Sequence, residues 1–539
     1  MFRVGISDEE FVQRGITHLL EHLVLSVDQA TNVEWNGFVD LTRTVFHARG
    51  ARDDVAAWLE SVARRIADPS LVRLEHERKV LRAESLRTPS TAFEAGLRLR
   101  YGFDGPGLLE VQELGLRHVG PDELLAWRDR YFTAENSIIW STALLEGLDL
   151  RLPAGARRAP KVPEVVAERL PAVAEAAFPG LLLTSTVNRQ TVMPALLRHL
   201  QRRSQGALRH DQGVAYSVGA SYVPFTADLA FASLSTDAAD ENLEAAELAL
   251  VAACRDVANH GVSSDELDQD LAATTRVMND PLSLNVRLDA AALAVLLDDE
   301  IIGDRELLER TAALRSDDIA EAAGEWLGAA LLLTPTALSM PEGFGPYGQP
   351  PALPVIGEKI RPTYRPWFDD AVLLQLSDRG LMYSAAGQPP VVIRFDTCVG
   401  ALAWDDGSRA LADRRGAWLT IDVNEWRKAA RITGLVDRCA PRPIVPMGAP
   451  PAPAADWRKQ RRRALIRNYL SWLRRTLGPV GLVMVILLAA GAVGMFAVVL
   501  VNTFGIWGLW LLLGLALARP WLRVAAFRIR RRWRQRGGR

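Results

Sequence analysis

The chain reads as an α+β protein, and three observations predict that class. Residues 1–150 and 180–345 each alternate helix-period apolar patterns with short β-like runs. Residues 367–440 break into short apolar runs parted by Gly, Asp and Ser, as a small β-rich unit does. Near the C-terminus, Leu477–Val501 is 25 residues without a charge, which predicts a membrane-spanning element beyond the folded body.

Length and charge frame these elements. At 539 residues the chain is too long for one core. Its 49% hydrophobic and 24% charged residues exclude disordered and fibrous classes. The net charge of −1 hides an asymmetry: Arg458–Arg539 holds 17 Lys/Arg and no acid, leaving 46 basic and 64 acidic side chains before it. So acidic a body is unsuited to nucleic acid, and none is expected as a partner. Cys254, Cys398 and Cys439 are far apart and odd in number, which gives no disulfide framework and fits a reducing compartment. MFRVGISDEE lacks the charged-then-apolar pattern of a secretory signal.

The elements follow in order. Residues 1–150 form the first domain, and a Pro/Ala-rich stretch, 151–179, links it to the next. The second domain, 180–345, offers strands at Gly213–Pro224 and Leu229–Ser235. Amphipathic helices are expected at Asp240–His260 and Ser264–Met278, with Ser264 as the N-cap of the latter. After a second Pro-rich linker, 346–366, the runs Ala371–Leu376, Gly380–Ser384, Pro390–Phe395, Val399–Trp404 and Ala417–Val423 read as strands. A helix, Asn424–Arg438, closes the 367–440 module. It resembles the pleckstrin-homology-like modules found beside membrane segments in bacteria.

Residues 441–476 read as a basic linker, 477–518 as a transmembrane helical hairpin in preference to one long span followed by an interfacial helix, and 519–539 as a basic tail. Leu477–Val501 exceeds the roughly 20 residues a hydrocarbon core requires, and Phe504–Ala518 supplies a shorter second run with Trp507 and Trp510 suited to an interface. Eight Lys/Arg precede the block and nine follow it, which predicts both ends on the cytoplasmic side. The expected location is the cell membrane, with lipid as a partner and the folded domains cytoplasmic.

Residues 15–25 carry the chemistry. His18 and His22 are i and i+4, so on a helix both imidazoles leave one face a turn apart. Two neutral imidazole nitrogens at that spacing can reach one Zn2+ at about 2.0–2.1 Å. Glu21 lies on the same side and is placed to act as general base toward a water rather than as a ligand. A catalytic zinc site needs a third protein ligand and an open position. Glu75 and Glu77 are candidates, and two residues apart on a helix only one of them can point at the metal.

The pattern Gly15-x-x-His18-x-x-Glu21-His22, preceded by Ser7-Asp8-Glu9-Glu10 and followed by Asn36-Gly37-Phe38 and Thr42-Arg43-Thr44-Val45-Phe46, resembles the pitrilysin/insulinase-type metallopeptidases. That resemblance implies one Zn2+ per chain held by His18, His22 and Glu75, with Glu77 supporting a ligand. It implies a strand containing Asn36, Gly37 and Phe38 along the substrate cleft. The segment from Leu208 to Val218 resembles the family's partner domain, in which Arg209 and Tyr216 would hold the substrate backbone and polarise its carbonyl. The implied architecture is two α/β roll domains closing as a clamshell on peptides or unfolded polypeptides, and the implied activity is that of a membrane-anchored zinc endopeptidase. The alternative is a weak or inactive clamshell that binds peptides or acts as a scaffold. In two respects the chain departs from the family: it begins almost at the acidic turn, and the 53 residues from His22 to Glu75 are fewer than the family's usual interval.

Overall fold

A computed structural model describes residues 1–26, 32–85, 91–336, 338–363 and 371–450. Nearly all of them belong to one compact unit, 1–360 with 372–450. The first region runs α1 (Ile16–Leu25), β1 (Glu34–Val39), β2 (Thr44–Arg49), α2 (Arg52–Ala67), α3 (Leu74–Ser85), α4 (Ala92–Tyr101) and α5 (Pro121–Tyr131). Ile16, Leu19, Leu20, Leu23 and Val24 recur at helical spacing and are buried, so α1 is embedded on most of its circumference. They pack with Trp58, Val62 and Ile66 of α2, Leu81 of α3 and Trp127 of α5. Each such side chain contributes about 1.5–3 kcal/mol when buried, enough to hold a ten-residue helix that is too short to persist alone.

Among the described residues of this region, β1 and β2 pair antiparallel as a two-stranded sheet, with Gly37 opposite Phe46. Phe2 meets Thr44 of β2 in an isolated bridge, and the rest of β2 lines a cavity of about 750 Å³ with Leu59, Ile66 and Ile139. The helices, rather than a broad sheet, make this core.

The second region contains β3 (Ala172–Glu175), β4 (Leu181–Asn188), α6 (Val192–Gln205), β5 (Val218–Pro224), β6 (Leu229–Thr236), α7 (Leu243–His260), α8 (Ser264–Asn279), α9 (Leu284–Leu296), α10 (Asp304–Ala312), α11 (Ser316–Gly328), β7 (Leu331–Thr334) and β8 (Gly345–Pro346). Its six-stranded sheet has the order β5-β6-β4-β7-β3-β8. Both faces are covered, so β4 and β7 are buried at nearly every position instead of at alternate ones. Leu181 and Leu183 point toward α6, α7 and α11, and Leu182 points the other way, toward Ala95 of α4. The cap of α8 is Ser263, whose hydroxyl accepts from Glu266 N–H while the Glu266 carboxylate accepts from Ser263 N–H. The expected cap, Ser264, is instead the first helical residue.

The third region forms two four-stranded sheets, with orders β12-β11-β10-β9 and β15-β14-β13-β16. These are β9 (Glu358–Ile360), β10 (Val372–Ser377), β11 (Gly380–Ala385), β12 (Val391–Arg394), β13 (Cys398–Trp404), β14 (Arg409–Asp413), β15 (Trp418–Ile421) and β16 (Ile444–Gly448), with α12 (Ala429–Cys439) before the last strand. Leu374, Leu381 and Ile393 of one sheet meet Ala401, Leu411 and Ile421 of the other, and Ile432 and Val436 of α12 close the core. The module rests on the first region through Phe11, Phe103, Leu402 and Val445.

The membrane part of the expected fold class is corrected. No helix among the described residues is long and apolar enough to cross a bilayer. The 18-residue α7 has sufficient length but carries Glu244, Glu247, Arg255 and Asp256. The expected hairpin, 477–518, lies outside the described residues.

Candidate metal centre

The acidic turn before α1 has a structural task. Gly15 sits at φ +97°, a left-handed conformation that glycine tolerates, and precedes the helix without a side chain of its own to cap it. Glu9 supplies the cap from a distance: its carboxylate accepts from Gly15 N–H and Thr17 N–H, both at 2.9 Å, and from Arg14 at 3.3 Å. The free N–H groups of a helix start favour a negative partner. Asp8 is taken up by Arg3 and Gly5 N–H.

On α1, His18, Glu21 and His22 come together, with one donor atom of each within 4.8 Å of the others. Glu21 Oε2 lies 4.0 Å from His18 Nε2 and 3.9 Å from His22 Nε2. The outer nitrogens are engaged elsewhere: His18 Nδ1 is 2.8 Å from Glu113, and His22 Nδ1 is 3.4 Å from Glu77. A carboxylate only accepts, so each Nδ1 carries a proton and each ring turns its Nε2 toward Glu21. Burial lowers the His18 pKa, but the Glu113 hydrogen bond and charge outweigh it and the net shift is upward. His22 moves down, through burial and then the neighbouring His18. Burial pushes the Glu21 carboxyl up to about 7, against the pull of His18.

Helix α3 brings a different glutamate from the one expected. Glu75 is 74% exposed and paired with Arg78 at 2.5 Å, so its assignment as a metal ligand is corrected. Leu74, Glu77 and Leu81 are the buried positions of α3, and Glu84 continues their stripe by three residues. Glu75 is off that stripe and faces solvent. Glu77 is buried, accepting from Arg73 and facing His22 Nδ1. Glu84 Oε2 stands 3.9 Å from His22 Nε2 and adds its charge to the surroundings of Glu21. Sequence reasoning missed Glu84 and Glu113. Glu84 had a signal, being seven residues after Glu77 and on the same face; Glu113 comes from a separate loop and had none.

The β1 residues lie beside the base. A Cβ at Gly37 would fall 2.2 Å from Glu21 Oε1 and 2.7 Å from Leu25, so the missing side chain makes room for the carboxylate. Asn36 Oδ1 accepts from Gly37 N–H, and Phe38 is half exposed under the Arg43 guanidinium. In the second region Arg209 stacks over the Tyr216 ring at 5.0 Å, and Tyr216 is 75% exposed. Among the described residues no hydrogen bond or ion pair joins that pair to His18, Glu21 or His22.

The donor set fits a zinc ion. It offers two imidazole nitrogens with their opposite nitrogens anchored, and a carboxylate from a second helix on the same side. A further carboxylate, Glu21, is left over next to them.

No protein-family profile matches the chain, and no curated protein does. Solved structures do. A protease from Helicobacter pylori aligns at 14% identity over 62% of this chain and 91% of that one, with a TM-score of 0.50. A chain of Complex III2 from Candida albicans aligns at 12% over 61% and 88%, again at 0.50. The first half of the periplasmic protease PqqL from Escherichia coli aligns at 16% over 62% and 85%, at 0.47. At such identities the likeness concerns fold alone: the chain shares an α+β fold with the first two of these structures.

Proposed function

We propose that the chain is a zinc-dependent endopeptidase acting on extended peptides. The observation that carries this reading is the convergence of His18 Nε2, His22 Nε2 and carboxylate oxygens on one spot, with both Nδ1 atoms tied back. His18, His22 and Glu84 would hold the metal. Bound zinc would polarise a carbonyl and lower the pKa of a water toward ~7. Glu21, left unligated, takes the proton of the attacking water and returns it to the leaving amine. Glu21 has the position a general base needs, with its Oε2 beside both Nε2 atoms. β1 is a half-exposed edge strand whose Gly37 touches Glu21, so a peptide added along it would present its backbone to the base. Arg209 and Tyr216 would stabilise the developing oxyanion from the second region.

Cleavage of a quenched, unfolded peptide by wild type and by Glu21→Gln tests the proposal. Zinc-dependent turnover lost by at least 100-fold in the variant, with zinc retained, is the expected outcome. Equal rates would show that Glu21 is not the base. A second reading, a peptide-binding clamshell without turnover, draws on the exposure of Tyr216 and its pairing with Arg209 alone. It predicts peptide binding with no cleavage by zinc-loaded wild type.

A further inference from the structure

We infer that Glu113 is a positioning residue that holds His18 in its metal-binding orientation, an inference that rests on the zinc reading above. Glu113 belongs to neither helix that would supply ligands. It directly precedes the short turn Leu114–Arg117, and four contacts converge on it. Its Oε1 accepts from His18 Nδ1 at 2.8 Å and from Arg14 at 3.4 Å, and its Oε2 accepts from Ser85 Oγ at 3.1 Å. Ser85 follows Glu84 directly, so a single carboxylate links the His18 helix to the end of α3 where Glu84 stands.

The fourth contact is steric. A Cβ on Gly15 would lie 2.6 Å from Glu113 Cβ, and one on Gly115 would lie 2.7 Å from the Gln13 carbonyl. Two glycines therefore let the 113–115 backbone lie against residues 13–15, and Gly115 N–H bonds the Arg14 carbonyl at 2.9 Å. Arg14 spans Glu9, which caps α1, and Glu113, which orients the ring. The arrangement fixes the start of the helix and the tautomer of its first histidine with one buried guanidinium.

Orientation of this kind governs metal affinity, because a ring free to rotate or to exchange tautomers presents its Nε2 lone pair only part of the time. Loss of such a partner weakens binding by about 10–100-fold. The test uses the full chain, stripped with a chelator and reloaded. Zinc affinity is measured by competition with a chromophoric chelator, and the visible absorption of the Co2+-loaded protein reports ligand geometry. Glu113→Ala, Glu113→Gln and, as a loop control, the exposed Gln112→Ala are compared.

Glu113→Ala is expected to bind zinc 10–100-fold more weakly and to alter the Co2+ spectrum. Glu113→Gln, whose amide oxygen can still accept from Nδ1–H, is expected to recover most of the loss and stands in if the alanine variant does not fold. Alanine binding within twofold of wild type, glutamine no better than alanine, or an equal loss in Gln112→Ala would each overturn the inference. Wild type that takes up no zinc would sink the zinc reading and this inference together; equal affinity in wild type and Glu113→Ala would sink the inference alone.

Discussion

Replacing Gly37 by alanine should separate catalysis from both folding and metal binding. The added Cβ would stand 2.2 Å from Glu21 Oε1, more than 1 Å inside ordinary van der Waals contact, and 2.7 Å from Leu25 Cδ1. Both atoms are the ends of flexible side chains, so rotation relieves the clash without moving backbone. Gly37 has no left-handed φ to strain, and the loss of glycine's unfolded-state freedom offsets part of the crowding. Stability should therefore change by less than about 1 kcal/mol, read as a Tm shift of a few degrees at most. The displaced carboxylate is the proposed base, and a misplacement of about 1 Å can cost on the order of 100-fold in rate. The assay is kcat on a quenched peptide beside zinc content for wild type and Gly37→Ala. A kcat loss near 100-fold with one zinc still bound fits; unchanged kcat would refute the placement of Glu21 as base, and lost zinc would refute its separation from the ligands.

Other expectations follow from particular contacts. Glu84→Gln should lose zinc affinity by at least 10-fold and Glu75→Gln should not, as measured by chelator competition, because only Glu84 faces His22 Nε2. Glu9→Ala removes two N–H acceptors from the start of α1 and one partner from buried Arg14, and should cost about 2–4 kcal/mol in urea unfolding with an unchanged m-value. Glu247 is fully buried with neither carboxylate oxygen hydrogen-bonded, and burial raises its pKa from 4.5 to about 7. The folded chain therefore holds that proton more tightly than the unfolded one. This contribution, about 3 kcal/mol at most, is fully present below pH 4.5 and is lost as pH rises through 7. Glu247→Gln should flatten the stability profile between pH 5 and 8; an unaltered slope would show that Glu247 is not its source.

The parts of the fold that show in the sequence are those set by local periodicity. The histidine spacing placed His18 and His22 on one helical face because a turn is 3.6 residues whatever surrounds it. β6 and α8 were legible for a similar reason, β6 as a short apolar run bounded by polar residues and α8 by helical spacing sustained over 16 residues. Glu75 is favoured by a resemblance alone, whereas the stripe Leu74, Glu77, Leu81 decides which side of α3 is buried. That stripe points to Glu77 and Glu84, and it was there to be read. Glu113 was not: its approach depends on two glycines in separate segments, a tertiary fit that no window of sequence contains. The acidic turn had a clear composition, but its use as a remote helix cap appears only when Glu9 is seen beside Gly15 and Thr17.

The proposed chemistry of α1 depends on where a zinc ion sits. Anomalous diffraction at the zinc edge, on crystals of wild-type protein purified with one equivalent of zinc, locates it directly. A single peak bonded to His18 Nε2, His22 Nε2 and a Glu84 oxygen, with Glu21 alongside but unbonded, is the expected result. A peak bonded through Nδ1 atoms or to Glu75, or no peak near α1, would contradict it.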